Sequence, residues 1–255
     1  MHDHSSKINT HEDFKPRRHL PPTGFFNAIR FTVRLMVDVQ VVSVYRHVKS
    51  FLPAVRGKLL DAGCGESPYR FLLPENKIDY FGIDIARADA FDCRRTDIAL
   101  FDGKRIPFDD EFFDAVLCTE VLEHVEDPQT FLSEIHRVLK PDGKALITIP
   151  WSARYHYIPH DYFRYTPSAL KKLFSAFKEI KIFPRGTDVT AIMSKIIVLF
   201  FRNIFPRKKW RYVFFPFWLM ATPLIICALI LGHVSLLIKV GSDSDPIGYT
   251  VIVKK

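Results

Sequence analysis

The chain has 255 residues, 48% of them hydrophobic and 25% charged, which suits one large α/β domain with an appendage and argues against a disordered chain. Its formal net charge of +8 admits nucleic acid or an anionic membrane as partner, but no arginine-rich arm with interleaved aromatics accompanies it, so no nucleic-acid partner is expected. The four cysteines, Cys64, Cys93, Cys118 and Cys227, form no CxxC pair, which argues against a zinc ribbon or a disulfide framework and fits a reducing compartment.

Residues 1–22 hold no apolar stretch of the kind a secretory signal needs, and a disordered tail is expected there. Residues 23–56 follow as N-terminal helices, because Phe25–Leu52 is free of proline and glycine and mixes apolar residues with Arg30, Arg34, Arg46 and Lys49. A core is predicted over 57–187. Its strands are expected at Lys58–Ala62, Tyr80–Ile85, Asp114–Thr119, Lys144–Ile149 and Ile180–Phe183, with helices at Pro68–Leu73, Pro128–Leu139 and Pro167–Phe177. Asp127 is placed to cap the second of these helices, and Pro141-Asp142-Gly143 to end it. An apolar helical insert over 188–240 precedes a final strand within 241–255. Strand and helix alternating at this spacing predict a doubly wound, mostly parallel, Rossmann-like α/β sheet.

The chemistry concentrates at LLDAGCGESPY, Leu59–Tyr69, where a buried strand gives way to glycines at 63 and 65. Glycines there let backbone approach a ligand at the carboxyl end of a strand. Asp84 ends the next strand, where a carboxylate can accept both hydroxyls of a ribose. Pro68 stands where a dinucleotide fingerprint has its third glycine, which disfavours a nicotinamide-dependent reductase.

DAGCG, Asp84, DGKRIPFDDEFFDAV, CTEVLEHVEDP and RVLKPDGKALITIP, in that order, resemble the class I S-adenosylmethionine-dependent methyltransferases, especially the type 11 subgroup with ubiquinone-biosynthesis-like domains. The resemblance covers Leu59 to Phe183 plus the last strand. It implies a seven-stranded sheet with an antiparallel last strand and S-adenosylmethionine as cofactor. It also implies that Gly63 and Gly65 line the methionine moiety, Asp61 lies beneath them and Asp84 takes the ribose. Asp102, with Gly103 beside it, matches the position that meets the adenine, and Asp97 is its rival because the third strand is hard to place in the charged stretch after Ile85.

Methyl transfer to a hydroxyl needs a base near the pocket, and His124 and His160, each following a strand's carboxyl end, are the catalytic candidates. Glu120, Glu123 and His124 form an ExxEH pattern that looks like the metal-binding set of some methyltransferases of small RNA and of quinone precursors, with His160 or His156 to complete it. A divalent metal is the lesser reading, since EVLEH is widespread in methyltransferases with no known metal. The segment HDYFRYTPSAL offers Tyr162–Tyr165 as an acceptor lid with Arg164 as a cationic anchor, or as plain packing.

Tyr212–Ile238 contains no charged residue, and as one helix it would span about 40 Å against about 30 Å of hydrocarbon. A single crossing would put the last strand on the wrong side. A transmembrane hairpin with Ala191–Phe205 or a shallow monotopic arrangement is therefore expected, with the basic cluster Arg207–Arg211 on the cytoplasmic face. An apolar dimer interface is the alternative. The reading is O-methylation of a small-molecule or lipid-linked, amphiphilic acceptor at a membrane surface, against a catalytically inactive scaffold of the same fold.

Overall fold

The structure is a computed structural model that describes residues 18–74, 77–85, 97–206 and 208–255. The tail over residues 1–17, Cys93, Arg207 and most of the charged stretch after Ile85 lie outside the described residues.

Seven strands form one sheet in the order β3-β2-β1-β4-β5-β7-β6. They are β1 (Gly57–Ala62), β2 (Ile78–Ile85), β3 (Ala99–Phe101), β4 (Phe113–Thr119), β5 (Leu139–Pro150), β6 (Glu179–Arg185) and β7 (Gly248–Lys254). Pairing is parallel from β3 through β5, and β7 inserts antiparallel between β5 and β6. Layers on both faces explain why β1 and β4 read as continuous apolar runs. On one face α3 (Pro128–Val138) and α4 (Pro167–Leu173) bury Phe131, Ile135 and Leu170 against the sheet; on the other, α2 (Val39–Phe51) buries Val44 and Val48. The helix α1 (Phe25–Val37) precedes α2, and Asp38 caps α2 by accepting from Val41 N at 3.1 Å. His19, at the end of the expected tail, stacks on Phe31 with ring centroids 5.1 Å apart.

Three elements differ from the sequence reading. The helix expected at Pro68–Leu73 is a 3-10 turn over Arg70–Leu72, because the backbone closes three-residue bonds (Arg70 N to Ser67 O, Leu72 N to Tyr69 O) from a left-handed Ser67. Pro141-Asp142-Gly143 does not end α3. The chain enters β5 at Leu139, and the register slips between Phe113 and Ala115 to absorb the extra residues. The helix from Pro167 stops at Leu173, so that Phe174 and Phe177 turn under it into the core.

The insert is helical, as expected, but Tyr212–Ile238 is not one helix. It breaks into a 3-10 turn (Lys209–Phe214), α6 (Phe215–Met220) and α7 (Thr222–Ile238), with Pro216 and Pro223 each in the first turn of the helix they open. At 17 residues, α7 reaches only about 26 Å. Among the described residues no single helix is long and apolar enough to cross a membrane, which corrects the expectation of a transmembrane helix; α5 (Asp188–Ile204) and the segment Lys209–Met220 form a pair bent by 115°.

One face of α5 and α7 is pinned to the domain. Ala191, Ile197, Ile225 and Ala228 are buried, and Ser235 Oγ lies 2.8 Å from Thr187 Oγ1 and 2.7 Å from Thr190 Oγ1 while donating to Val240 O. Ser235→Ala, which leaves buried hydroxyls short of a partner, is expected to lower unfolding free energy by about 1–3 kcal/mol in urea titration; an unchanged midpoint would mean that this cluster does not hold α7.

Candidate active site

Parallel strands bring their carboxyl ends to one edge, and the candidate residues gather there. β1 ends at Ala62, and the chain turns through Gly63 (φ 73°) and Gly65 (φ 48°), conformations that suit residues without a Cβ. A Cβ on Gly63 would come within 2.5 Å of Val121, whereas one on Gly65 would meet nothing within 4 Å. Gly63 thus packs the bend, and Gly65 leaves an open side that side chains do not fill.

The Gly63 and Cys64 N–H groups donate to Ile83 O, and Gly65 N donates to Asp84 Oδ2 at 2.9 Å. The loop and the second strand's carboxylate are therefore adjacent. Burial raises the Asp84 pKa, opposed by the Ile85 and Gly65 N–H donors. Asp61, 4% exposed, accepts from Tyr80 Oη at 2.6 Å, and Tyr80 Oη also meets Ser67 Oγ at 2.5 Å. Burial and the Asp61 carboxylate push the Tyr80 phenol far up, so it stays a donor. Tyr80 was missed in the sequence, although strand alternation sets Tyr80, Gly82 and Asp84 on one face.

Asp84 pairs with Leu100 and Ile85 with Phe101, so Asp102 falls one step beyond the edge of β2 and β3. Its Oδ1 accepts from Lys104 N (2.8 Å) and Arg105 N (3.1 Å), which lowers its pKa, and Gly103 (φ 80°) completes the turn. Asp97 precedes β3 and stands 3.5 Å from Arg70, away from that edge.

The ExxEH residues separate. Glu120 (φ 53°) follows β4 and accepts from Arg185 Nη2 at 2.6 Å and Gln40 Nε2 at 2.8 Å. Arg185 is 1% exposed, and its guanidinium also donates to Ser43 Oγ and Ile149 O, both at 3.0 Å. It passes over Gly248, where a Cβ would lie 2.3 Å from Nη2. Glu120, half-buried, is thus taken by an ion pair with the buried Arg185 and does not join the metal set expected of it. Arg185 and Gln40 were not legible in the sequence, because only the fold brings β6 and α2 to the end of β4.

Glu123, His124 and His156 do come together, one ligand atom from each lying within 4.8 Å of the others. Glu123 is fully buried and neither carboxylate oxygen has a hydrogen-bond partner; burial and then Glu120 push its pKa well up. His124 Nδ1 donates to His160 O at 2.6 Å, which leaves Nε2 facing Glu123 Oε1 at 3.6 Å. His156 Nδ1 lies 2.9 Å from both Arg154 O and Asp161 Oδ2, and its ring meets His124 edge-on at 4.9 Å. Imidazoles held at Nδ1 present Nε2, and one carboxylate with two such nitrogens could hold a divalent transition metal. Burial lowers the His124 pKa to about 4, so its ring is neutral near pH 7.

His160 stands on the neighbouring loop, where its Nδ1 donates to Tyr162 Oη at 3.2 Å and Tyr162 donates to Glu126 Oε1 at 2.7 Å. Arg164 forks onto Asp161 at 2.6 and 2.7 Å and holds that carboxyl far below the usual range. Arg164 therefore braces the loop behind His156. It is already occupied, which corrects the anion-anchor reading.

Residues 60–147 match the family model of the methyltransferase domain. An uncharacterized protein of Methanocaldococcus jannaschii is 37% identical over 105 residues, which cover 40% of this chain and 48% of that protein. A probable S-adenosylmethionine-dependent methyltransferase of Mycolicibacterium smegmatis is 33% identical over 96 residues, 36% of this chain and 37% of that protein. A solved S-adenosylmethionine-dependent methyltransferase of Thermotoga maritima shares the fold with a TM-score of 0.51 at 16% identity, over 89% of this chain and 96% of the other. The chain spans about half, or less, of the length of these curated relatives. Residues 60–147 therefore carry a methyltransferase domain, on a fold shared with the solved S-adenosylmethionine-dependent enzyme.

Arg185→Met would leave the half-exposed Glu120 carboxylate with Gln40 alone and leave Ser43 and Ile149 O without their donor, and a loss of about 1–3 kcal/mol in unfolding free energy is expected. Arg185→Met with Glu120→Gln should recover much of it. Two variants of equal stability would show that the pair contributes nothing through its charge.

Proposed function

We propose that this domain moves a methyl group from S-adenosylmethionine to an oxygen of an amphiphilic or lipid-linked acceptor at the cytoplasmic face of a membrane. The donor fits the residues present: Gly65 leaves an open cradle, its N–H and the Asp84 carboxylate face the same side, and buried Asp61 fixes the strand beneath. Asp84 would take the ribose hydroxyls, Gly63 and Gly65 the methionine moiety, and Asp102 with Gly103 the adenine. When bound, the cofactor supplies an activated methyl, and the chain's task is to align the acceptor, exclude water and receive a proton. His124 is suited to receive it, being neutral with Nδ1 engaged by a carbonyl and Nε2 left to accept; His160, on the next loop, is the other candidate.

The observation that carries the membrane half is the apolar outer face of the insert. Val213, Phe217, Met220 and Leu224 are 71%, 63%, 81% and 71% exposed, and on α1 Phe25 and Phe26 are 74% and 77% exposed. Contiguous apolar surface of this kind marks a contact with lipid or protein. Lys208, Lys209 and Arg211 between α5 and α6 favour an anionic lipid surface over an uncharged protein partner. Short helices bent against one another, with one face held by the domain and the other exposed, suit a shallow seat in the interface.

Calorimetry should detect S-adenosylmethionine and not NADH, and Asp84→Ala should weaken binding about 100-fold. An ionised Asp84 is the acceptor. Affinity should thus be full above its raised pKa and fall as pH drops through it, at a higher pH than the roughly 3.9 of an ordinary aspartate. Vesicle flotation should lose the protein when Phe217, Met220 and Leu224 are all changed to serine, with cofactor binding unaltered. NADH binding in place of S-adenosylmethionine, or flotation indifferent to those changes, would sink the corresponding half.

A divalent cation on Glu123, His124 and His156 is the second reading, favoured by the two unpartnered Glu123 oxygens. It would acidify the acceptor hydroxyl in place of a free base. Methyl transfer that survives exhaustive chelation rejects it; loss on chelation and recovery with manganese or zinc supports it.

A further inference from the structure

Away from the glycine loop, a cavity of about 370 Å³ opens between α2, the end of β6 and the end of α7. Its lining is basic. Arg46 and His47 come from α2, Arg185 from β6, and Lys239 caps α7 in a left-handed conformation (φ 54°). Asp243 is the one carboxylate among the lining residues, and Arg185 is balanced by Glu120, so Arg46 and Lys239 leave the cavity with a surplus of positive charge. Among the described residues neither Arg46 nor Lys239 has an ion-pair partner.

One further observation points to an anion. The Arg185 Nε–H is buried with no acceptor, although the rest of its guanidinium is satisfied. His47 is held neutral, its pKa lowered to about 4 by burial first and then by Arg185 and Lys239, so the cavity's positive charge comes from Arg46 and Lys239 alone. Arg46 and Lys239 outnumber the lining carboxylate Asp243, a surplus that a multi-oxygen anion satisfies, and guanidinium forks fit phosphoryl oxygens. The volume suits a headgroup rather than a whole lipid. Lys239 lies directly between Ile238 and Val240, 70% and 44% exposed, with Leu237 at 65%, so the rim of a polar cavity runs into the apolar outer face of the insert.

We propose that this cavity is a phosphoryl-group subsite that receives the anionic headgroup of an amphiphilic acceptor whose apolar part lies along α7. The source of the phosphoryl group, a membrane amphiphile, rests on the membrane reading above; the phosphoryl chemistry does not. Through Arg185 and Glu120 the subsite adjoins the end of β4, on the same edge of the sheet as the glycine loop.

The test uses the full chain and an Arg46→Gln, Lys239→Gln double variant, which spares Arg185 and should keep thermal unfolding and S-adenosylmethionine binding unchanged. Inorganic pyrophosphate is titrated by calorimetry, and flotation compares phosphatidylcholine vesicles with and without phosphatidic acid. The expected result is pyrophosphate binding that the double variant weakens about tenfold or more, with a preference for phosphatidic acid lost in the same variant. Pyrophosphate binding lost in the variant, without any preference among vesicles, keeps the subsite and assigns it a soluble phosphate ester, against the membrane source. Equal behaviour of variant and wild type in both arms, or no response to either probe, overturns the proposal.

Discussion

A single guanidinium inside the protein organises the upper edge of the sheet. Arg185 closes β6, reaches across Gly248 of β7, and meets Ile149 O of β5, Glu120 after β4 and Ser43 of α2. A charge with no solvent exposure is tolerable only when its partners are fixed, so these elements must keep their mutual positions for the ion pair to persist. Gln40 completes the set by donating to the same carboxylate, which ties the second N-terminal helix to the strand that leads into the loop carrying Glu123 and His124. The antiparallel β7 is what makes this possible, because it places a glycine where the arginine side chain must pass.

That edge does two kinds of work on neighbouring ground. On one side Gly65 and Asp84 share a hydrogen bond, so the backbone bend and the carboxylate expected to grip a nucleoside are set relative to each other before any ligand arrives. On the other side β4 runs out through Glu120 into Glu123 and His124, whose imidazole is held by the carbonyl of His160. Preorganisation of this sort is the main contribution a protein can make when the cofactor carries the activated group.

The helical insert obeys a different constraint. Its inner face is held by a cluster of hydroxyls around Ser235 and by apolar contacts, and its outer face is exposed among the described residues. Prolines at 216 and 223 divide the apolar run into short helices, none of them long and apolar enough to cross a membrane, and the two ends of the insert meet where Arg185 of β6 pairs with Gly248 of β7. The basic cavity at the end of α7 lies where that apolar surface meets the edge of the sheet that carries the candidate site.

The fold and half of the site were legible in the residues themselves. Apolar runs ending in Asp61 and Asp84, glycines at 63 and 65 and proline-led helices are local signals, and local backbone chemistry decides them. The apolar stretch before the last strand likewise announced an insert. Three things waited for tertiary structure: that Glu120 turns to Arg185 and that His156, of the two histidines offered, stands beside Glu123 and His124; that Tyr80 anchors Asp61; and that Arg46 and Lys239, 193 positions apart, face one cavity. Each depends on side chains from distant segments meeting across the sheet edge. Such pairings are set by packing, and no periodicity or spacing along the chain encodes them.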